Sequence, residues 1–156
     1  MRIAIDADSA GYDLKTSIVE HLKSKDIEVV DFSPKREDIR DYFVGTPEIV
    51  PKVQSGEFDY AILLCGTGMG SAQIANSYKG IRAAVCESIL SAKLCRAINN
   101  SNVLTMGGFL VAPWLANEMV DVFLSTELTE AEGLCSYKDF LIGAQGSIKE
   151  LEEKIY

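Results

Sequence analysis

Short apolar runs alternate with longer segments of helical periodicity along this 156-residue chain. Strands are predicted at residues 3–5, 27–32, 60–64, 81–85 and 103–106, and helices at 12–24, 69–77, 89–97, 113–124 and 147–156. The polar segment 33–51 is predicted to be a loop followed by a short helix. Because helices separate successive strands, the strands must run parallel, with helices on both faces of the sheet. The pattern therefore predicts a single doubly wound α/β domain.

The composition is that of an acidic globular protein and excludes some classes of partner. A formal net charge of -8 and a pI near 4.7 argue against nucleic acid and anionic membrane surfaces, because both need a basic face. No apolar run approaches the ~18 residues of a membrane span, and Met1 and Arg2 lead directly into a strand, which predicts no signal peptide. Reduced thiols are typical of the cytoplasm, so we expect a cytoplasmic protein.

No metal or cofactor is predicted. The four cysteines form no CxxC pair and no metal-ligand spacing. The one histidine, His21, lies in the middle of a predicted helix and is expected on the protein surface.

The third predicted strand ends at a thiol that is followed by glycines at alternate positions. Cys65 follows the apolar run 61–64, and Gly66, Gly68 and Gly70 come next. Glycines allow a sharp turn that aims several N–H groups at one point, where an anion can bind. A base beside such a group of donors could remove a proton next to a carbonyl and stabilise the oxyanion. The alternatives are a small buried residue at Cys65 and an ordinary tight turn.

Two further polar groups lie near predicted strand ends. Asp6 and Asp8 follow the first strand, and their spacing places both on one side if the strand continues. They could bind sugar hydroxyls or a metal, or one of them could cap the following helix. The run Asn99–Asn102 precedes the fifth strand and suits either sugar hydroxyls or an ordinary turn.

Taken together, these segments resemble the family of ribose-5-phosphate isomerase B and galactose-6-phosphate isomerase. The resemblance covers about residues 1–125, and the segments that carry it are 3–15, 28–32, 65–70, 75–76, 80–84, 91–93, 99–104 and 106–108. It implies a flavodoxin-like (Rossmann-like) three-layer α/β sandwich with a five-stranded parallel sheet and a C-terminal helix. The domain would span 1–156, with 126–156 a C-terminal extension that packs on a partner subunit. It also implies a homodimer or higher oligomer with shared active sites and no metal.

By the same resemblance, the chain interconverts a phosphorylated aldose and ketose through a cis-enediolate, with ribose 5-phosphate as the default substrate. Cys65 would be the base, and the loop N–H groups and the following helix would have to favour its thiolate. Thr67 would place a hydroxyl near the sugar oxygens. The residues implied to bind substrate are Asp8, Ser9, Gly66, Gly68, Met69, Gly70 and Asn99.

The chain departs from the family where the family opens the sugar ring and holds phosphate. Ser9 and Ile98 stand at positions of family histidines, Phe109 replaces an arginine, and no arginine follows Arg96. Lys138 could supply a point charge, but it is not equivalent to an arginine. Three explanations remain. The chain isomerises another sugar phosphate, short or already open-chain; it is one subunit of a hetero-oligomer such as galactose-6-phosphate isomerase; or it binds sugar phosphates without catalysis.

Overall fold

A computed structural model of the chain describes residues 1–131, 133 and 135–156. Its centre is a parallel sheet of five strands in the order β2-β1-β3-β5-β4. The strands are β1 (Arg2–Ala7), β2 (Glu28–Asp31), β3 (Tyr60–Cys65), β4 (Ala83–Val85) and β5 (Val103–Gly107). The predicted fold class is confirmed, with each predicted strand present and shifted by only one or two residues at its ends.

Helices cover both faces of the sheet and give three layers. They are α1 (Tyr12–Ser24), α2 (Tyr42–Gln54), α3 (Met69–Ala75), α4 (Ile89–Ala97), α5 (Pro113–Ser125) and α6 (Lys138–Ile155), with 3-10 turns at Arg36–Asp38 and Cys135–Tyr137. The helices α1, α4 and α5 bury one face of the sheet around Ile5 and Leu104. The helices α2 and α3 bury the other face around Ala4 and Leu63. Among the described residues, no helix combines the length and the apolarity that a membrane span requires.

Helix α2 is longer than the sequence indicates. We predicted a loop and a short helix in this segment, but α2 has 13 residues and includes Pro47 and Pro51. A proline inside a helix costs ~3 kcal/mol, because it removes an N–H and crowds the preceding turn. Burying Ile49, Val50 and Val53 against the sheet offsets this, since each fully buried side chain contributes ~1.5–3 kcal/mol.

Helix α6 also begins earlier than predicted, at Lys138 instead of residue 147. Gly143 and Gly146 weaken the helical signal of its first half, because glycine is a poor helix former. Leu141 is buried, and salt bridges such as Lys79–Glu153 (2.7 Å) join the helix to the rest of the chain. Its other large apolar side chains are exposed.

The sheet order determines where a ligand can bind. In open α/β sheets, ligands bind outside the carboxyl ends of the strands, where the chain changes direction across the sheet. Here β1 and β3 are neighbours, with β2 beyond β1 and β5 beyond β3. The residues that follow β1 and the end of β3 therefore lie side by side at this edge.

Candidate active site

Cys65 is the last residue of β3, and only 3% of its surface is exposed. The strand is held between β1 and β5, and the Cys65 carbonyl accepts the backbone N–H of Gly108 at 2.8 Å. The backbone N–H of Gly68 donates to Cys65 Sγ at 3.1 Å. The loop that follows the strand therefore turns back over the thiol and directs a donor at the sulfur.

The glycines of this loop are required by what surrounds it. Gly68 has φ +77°, and a Cβ there would lie 2.9 Å from the backbone carbon of Met106. A side chain at Gly66 would meet the ring of Phe109, and one at Gly70 would meet the ring of Tyr42. The loop thus passes between two aromatic rings and the backbone of β5. The tight-turn interpretation and the donor-loop interpretation describe the same feature.

An open cleft of about 230 Å³ lies over the thiol at the carboxyl edge of the sheet. Its lining residues are Asp8, Tyr42, Cys65, Gly66, Thr67 and Gly70. The structure therefore brings together five of the residues selected from the sequence. Tyr42 was missed because it lies in the segment 33–51, which we predicted to be a loop followed by a short helix. Its sequence carries no signal for a position that depends on how α2 crosses the sheet.

Asp8 both caps a turn and lines the cleft. Its Oδ1 accepts the backbone N–H groups of Ala10 (2.9 Å) and Gly11 (3.1 Å), which orders the turn before α1. Oδ1 alone makes these bonds, which leaves Oδ2 for a ligand. The capping role and the binding role proposed for a carboxylate here are compatible.

Four selected residues do not line the cleft: Ser9, Gly68, Met69 and Asn99. Ser9 is exposed beside Asp8, outside the cleft lining. The side chain of Met69 is also exposed, and its backbone N–H donates to Thr67 Oγ1 at 3.3 Å. Met69 thereby orders the Thr67 side chain rather than contacting the cleft directly.

Asp6 is buried beneath the cleft, where it shares a small pocket with Asp8 and Tyr42. The two aspartates lie on one side, as their spacing predicted. Burial raises the pKa of the Asp6 carboxyl, while Ser33 and Arg40 act against the rise. Arg40 NH2 lies 3.5 Å from Asp6 Oδ2, and Arg40 also pairs with Glu48. Asp6 Oδ1 has no hydrogen-bond partner among the described residues, but the residue is only 5% exposed, so burial keeps it from sugar hydroxyls.

Asn99 lies at the amino ends of the strands, on the side of the sheet opposite to the cleft. It precedes β5, whose first residue Val103 pairs with Ala61 near the start of β3. About 13 Å of strand separates that level from Cys65, at ~3.3 Å per residue. Asn99 instead lines a cavity of about 380 Å³ with Asn76, Arg82 and Ser101. Within one chain, the structure does not bring Asn99 and Cys65 together.

The cleft over Cys65 is acidic. Its one ionisable side chain besides the thiol and the Tyr42 phenol is Asp8, and no described arginine or lysine lines it. Lys138 is the first residue of α6 and is exposed away from this lining. No cluster of His, Cys, Asp and Glu among the described residues is arranged to hold a metal ion. The cleft of one chain therefore offers a thiol and N–H donors but no cation for an anionic ligand.

His21 is more buried than expected. Only 20% of its side chain is exposed, and Nε2 lies 2.8 Å from Asp121 Oδ1 on α5. Lys25 Nζ lies 2.6 Å from the other oxygen of the same carboxylate. The group joins α1 to α5 and lies outside the cleft lining, so His21 is a partly exposed residue that also links two helices.

Comparisons with known proteins point to one family. A family model described as Ribose/Galactose Isomerase matches residues 3–135. The chain is 42% identical over 158 residues to a 4-deoxy-4-sulfo-D-erythrose isomerase of Clostridium sp. (strain MSTE9), covering 100% of this chain and 98% of that one. It is 36% identical to a D-erythrulose-4-phosphate isomerase of Pectobacterium atrosepticum, covering 81% of this chain and 84% of that one.

The solved structures agree with this assignment. A ribose-5-phosphate isomerase B of Clostridium thermocellum superposes with a TM-score of 0.88 at 35% identity, and the match covers 100% of both chains. The three-layer fold described above is therefore shared over the whole length, including the C-terminal helix.

Proposed function

Since this chain belongs to the ribose/galactose isomerase family and is an aldose–ketose isomerase, we propose that its substrate is 4-deoxy-4-sulfo-D-erythrose, which it converts to the corresponding 2-ketose. The observation that carries the proposal is the composition of the cleft. It contains the thiol and the glycine loop but no described cation, and the family's ring-opening histidine is replaced by Ile98.

The proposed substrate needs no ring opening. A pentose phosphate closes a five-membered ring through its 4-hydroxyl, and an enzyme must open that ring before it can remove the C2 proton. In 4-deoxy-4-sulfo-erythrose, carbon 4 carries sulfur and has no hydroxyl, so the aldehyde remains open-chain. A site with Ser9 and Ile98 in place of histidines is therefore sufficient for this sugar.

The charge of the substrate also fits an acidic site. A phosphate monoester carries about -1.5 to -2 charges at neutral pH, whereas a sulfonate carries a single one. Bidentate arginine contacts are the usual means of holding phosphate, and no arginine follows Arg96 here. A monoanion requires less compensation beside Asp8 than a dianion does. Erythrose 4-phosphate is the second candidate, because it too lacks a free 4-hydroxyl and a relative acts on D-erythrulose 4-phosphate.

In the proposed mechanism, the Cys65 thiolate takes the C2 proton and returns it to C1. The Gly68 N–H donates to Sγ, and a thiolate accepts such a bond more strongly than a thiol does. Negative charge develops on the two enediolate oxygens, which are stabilised by the backbone N–H groups of the 66–70 loop other than those of Gly68 and Met69, since these two donate to Cys65 Sγ and Thr67 Oγ1. The Thr67 hydroxyl moves a proton between those oxygens. The free Oδ2 of Asp8 binds the substrate hydroxyl beyond them.

We also propose that two copies of the chain share each site, as the family resemblance implies. Asn99 lies at the opposite sheet edge from Cys65, so it can contact substrate over Cys65 only from a second copy. The apolar side chains exposed on α6 favour a partner there, because large exposed apolar patches mark interaction surfaces. A related second chain remains the alternative partner. The buried free thiols Cys65, Cys86 and Cys95 suit the reducing cytoplasm.

The test is proton NMR in D2O with the purified chain and four sugars. These are 4-deoxy-4-sulfo-D-erythrose, erythrose 4-phosphate, ribose 5-phosphate and galactose 6-phosphate. We expect deuterium to enter beside the carbonyl fastest with the sulfonated sugar. Faster exchange with ribose 5-phosphate, the default from the family resemblance, would overturn the substrate assignment. Exchange with none would point to a missing second subunit.

The same assay tests the base. Cys65→Ala is expected to lower the exchange rate ~10²- to 10⁴-fold, the usual contribution of a positioned general base. Cys86→Ala is the matched control, because Cys86 is also a buried free thiol but lies outside the cleft lining. Full exchange in Cys65→Ala would exclude the thiol as the base.

A further inference from the structure

We infer that Arg82 of the second copy binds the sulfonate end of the substrate in the shared site. This inference rests on the proposed function and names the cation that the cleft lacks. Arg82 and Asn99 line the same cavity of about 380 Å³, at the amino end of β4 and β5. If Asn99 of one copy contacts the sugar bound over Cys65 of the other copy, Arg82 in the same cavity brings a positive charge to that sugar.

The backbone of Arg82 is fixed on both sides. Its N–H donates to Asn102 Oδ1 at 2.8 Å, and its carbonyl accepts the N–H of Asn102 at 3.1 Å. Asn102 Nδ2 also donates to the carbonyl of Gly80 at 2.9 Å, which fixes the residues before it. The Cα of Arg82 is therefore held in place, so that binding an anion has to order only the side-chain torsions.

Among the five arginines, Arg82 is the one whose guanidinium makes no hydrogen bond or ion pair shorter than 3.5 Å with the described residues. The other four make short contacts: Arg2 with Glu28 (2.9 Å), Arg36 with Asp13 (2.6 Å), Arg40 with Glu48 and Arg96 with the Ser101 carbonyl (2.7 Å). Arg82 NH2 instead lies 3.8 Å from Glu152. Its Nε has no partner among the described residues, but the same is true of Nε in Arg40 and Arg96, so the distinguishing feature of Arg82 is the lack of a short contact at its terminal nitrogens. An anion bound beside Glu152 would supply that contact.

The chemistry of the group suits a sulfonate. A guanidinium presents two parallel N–H donors, which match two oxygens of an anion with three equivalent oxygens. The facing Glu152 carboxylate disfavours a second negative charge in the cavity. A single arginine opposed by a carboxylate therefore favours a monoanion over a phosphate dianion, in agreement with the proposed substrate.

The test is complementation between an inactive variant and one that is impaired at low substrate concentration. Cys65→Ala removes the base, and Arg82→Gln is expected to raise KM ~10- to 100-fold, the effect of losing a hydrogen bond to a charged group. If the two residues act in one site from different copies, mixed dimers contain one intact site. Equal mixing should then restore about a quarter of the wild-type rate at low substrate concentration.

The controls separate anion binding from a structural role. Lys79→Gln removes a nearby cation that pairs with Glu153 of the same helix, and it should leave KM unchanged. Glu152→Gln should lower KM, because it removes the competing carboxylate. No recovery in the mixed dimers, with both variants folded, would show that Arg82 acts within its own chain and would overturn the inference. If the wild type prefers another sugar, the substrate assignment is wrong, and the mixing experiment is then carried out with the preferred sugar.

Discussion

At the scale of single residues, the site depends on how closely the 66–70 loop approaches its neighbours. The Gly68 N–H reaches Cys65 Sγ only because the backbone adopts a positive φ there. A Cβ at this position would also lie within 3.1 Å of three backbone atoms of Met106. Backbone conformation, packing and the donor to the thiol therefore all require glycine at one position.

Gly68→Ala should reduce both stability and activity. Left-handed backbone costs a non-glycine residue ~1–2 kcal/mol, and the contact with Met106 adds to that. Displacing the Gly68 N–H removes a donor to the Cys65 thiolate and should slow isomerisation ~10- to 100-fold, the effect of losing a hydrogen bond to a charged group. The measurements are urea unfolding and the NMR exchange rate.

Gly56→Ala is the matched control. Gly56 also has a positive φ, of +81°, but a Cβ there would meet nothing within 4 Å. It should show the backbone cost alone and retain activity. Equal effects of the two substitutions on stability and rate would mean that the approach to Met106 and the donor to Cys65 contribute nothing.

At the scale of elements, one carboxylate joins two helices on the face opposite α2. The Asp121 carboxylate of α5 accepts hydrogen bonds from His21, in the last turn of α1, and from Lys25, just beyond the end of that helix. Burial opposes ionisation of Asp121, but the hydrogen bonds from Lys25 and His21 outweigh it and hold its pKa below the ordinary value of 3.8. The contacts of Asp121 with Lys25 and His21 thus stabilise the folded chain when the carboxylate is ionised.

The contribution should depend on pH in a defined direction. Because the pKa of Asp121 is lower in the folded chain, its stabilisation is present above the unfolded value and is lost as pH falls through the folded one. We expect Asp121→Asn to destabilise the protein most above about pH 5, with the difference from wild type shrinking below about pH 3. Urea unfolding across this range measures it.

An exposed ion pair supplies the comparison. Asp13→Asn removes the contact with Arg36, where 84% of the aspartate side chain is exposed. Such pairs contribute little at any pH. If the difference in unfolding free energy between Asp121→Asn and wild type did not change with pH, the charge on Asp121 would have no effect on stability.

At the scale of the whole molecule, the chain leaves apolar surface uncovered. The exposed large side chains include Phe43, Met69, Leu90, Phe109 and Trp114 around the carboxyl edge of the sheet, and Phe140, Ile142, Leu151 and Ile155 on α6. Patches of this kind mark interaction surfaces. They support the proposal that a second copy covers the edge where the cleft lies.

Leu151→Asp should shift the active oligomer toward monomer and lower activity with it. Leu151 is 55% exposed in one chain, so a charge there costs little unless a partner buries it. Light scattering of the active species should give at least twice the chain mass of 17.1 kDa for wild type. Glu150→Gln, on the neighbouring exposed position, should change neither property. A Leu151→Asp protein that keeps its mass and full activity would place the interface elsewhere.

The sequence alone determined the elements and the chemistry of the loop. Apolar periodicity is a local property, so the five strands, the parallel sheet and the thiol followed by glycines could be predicted from the chain. Helix α2 could not, because burial of Ile49, Val50 and Val53 against the sheet offsets two prolines. Likewise, only packing decided that Tyr42 lines the cleft and that Arg40 faces Asp6. These depend on contacts between residues distant in sequence, which no local pattern encodes.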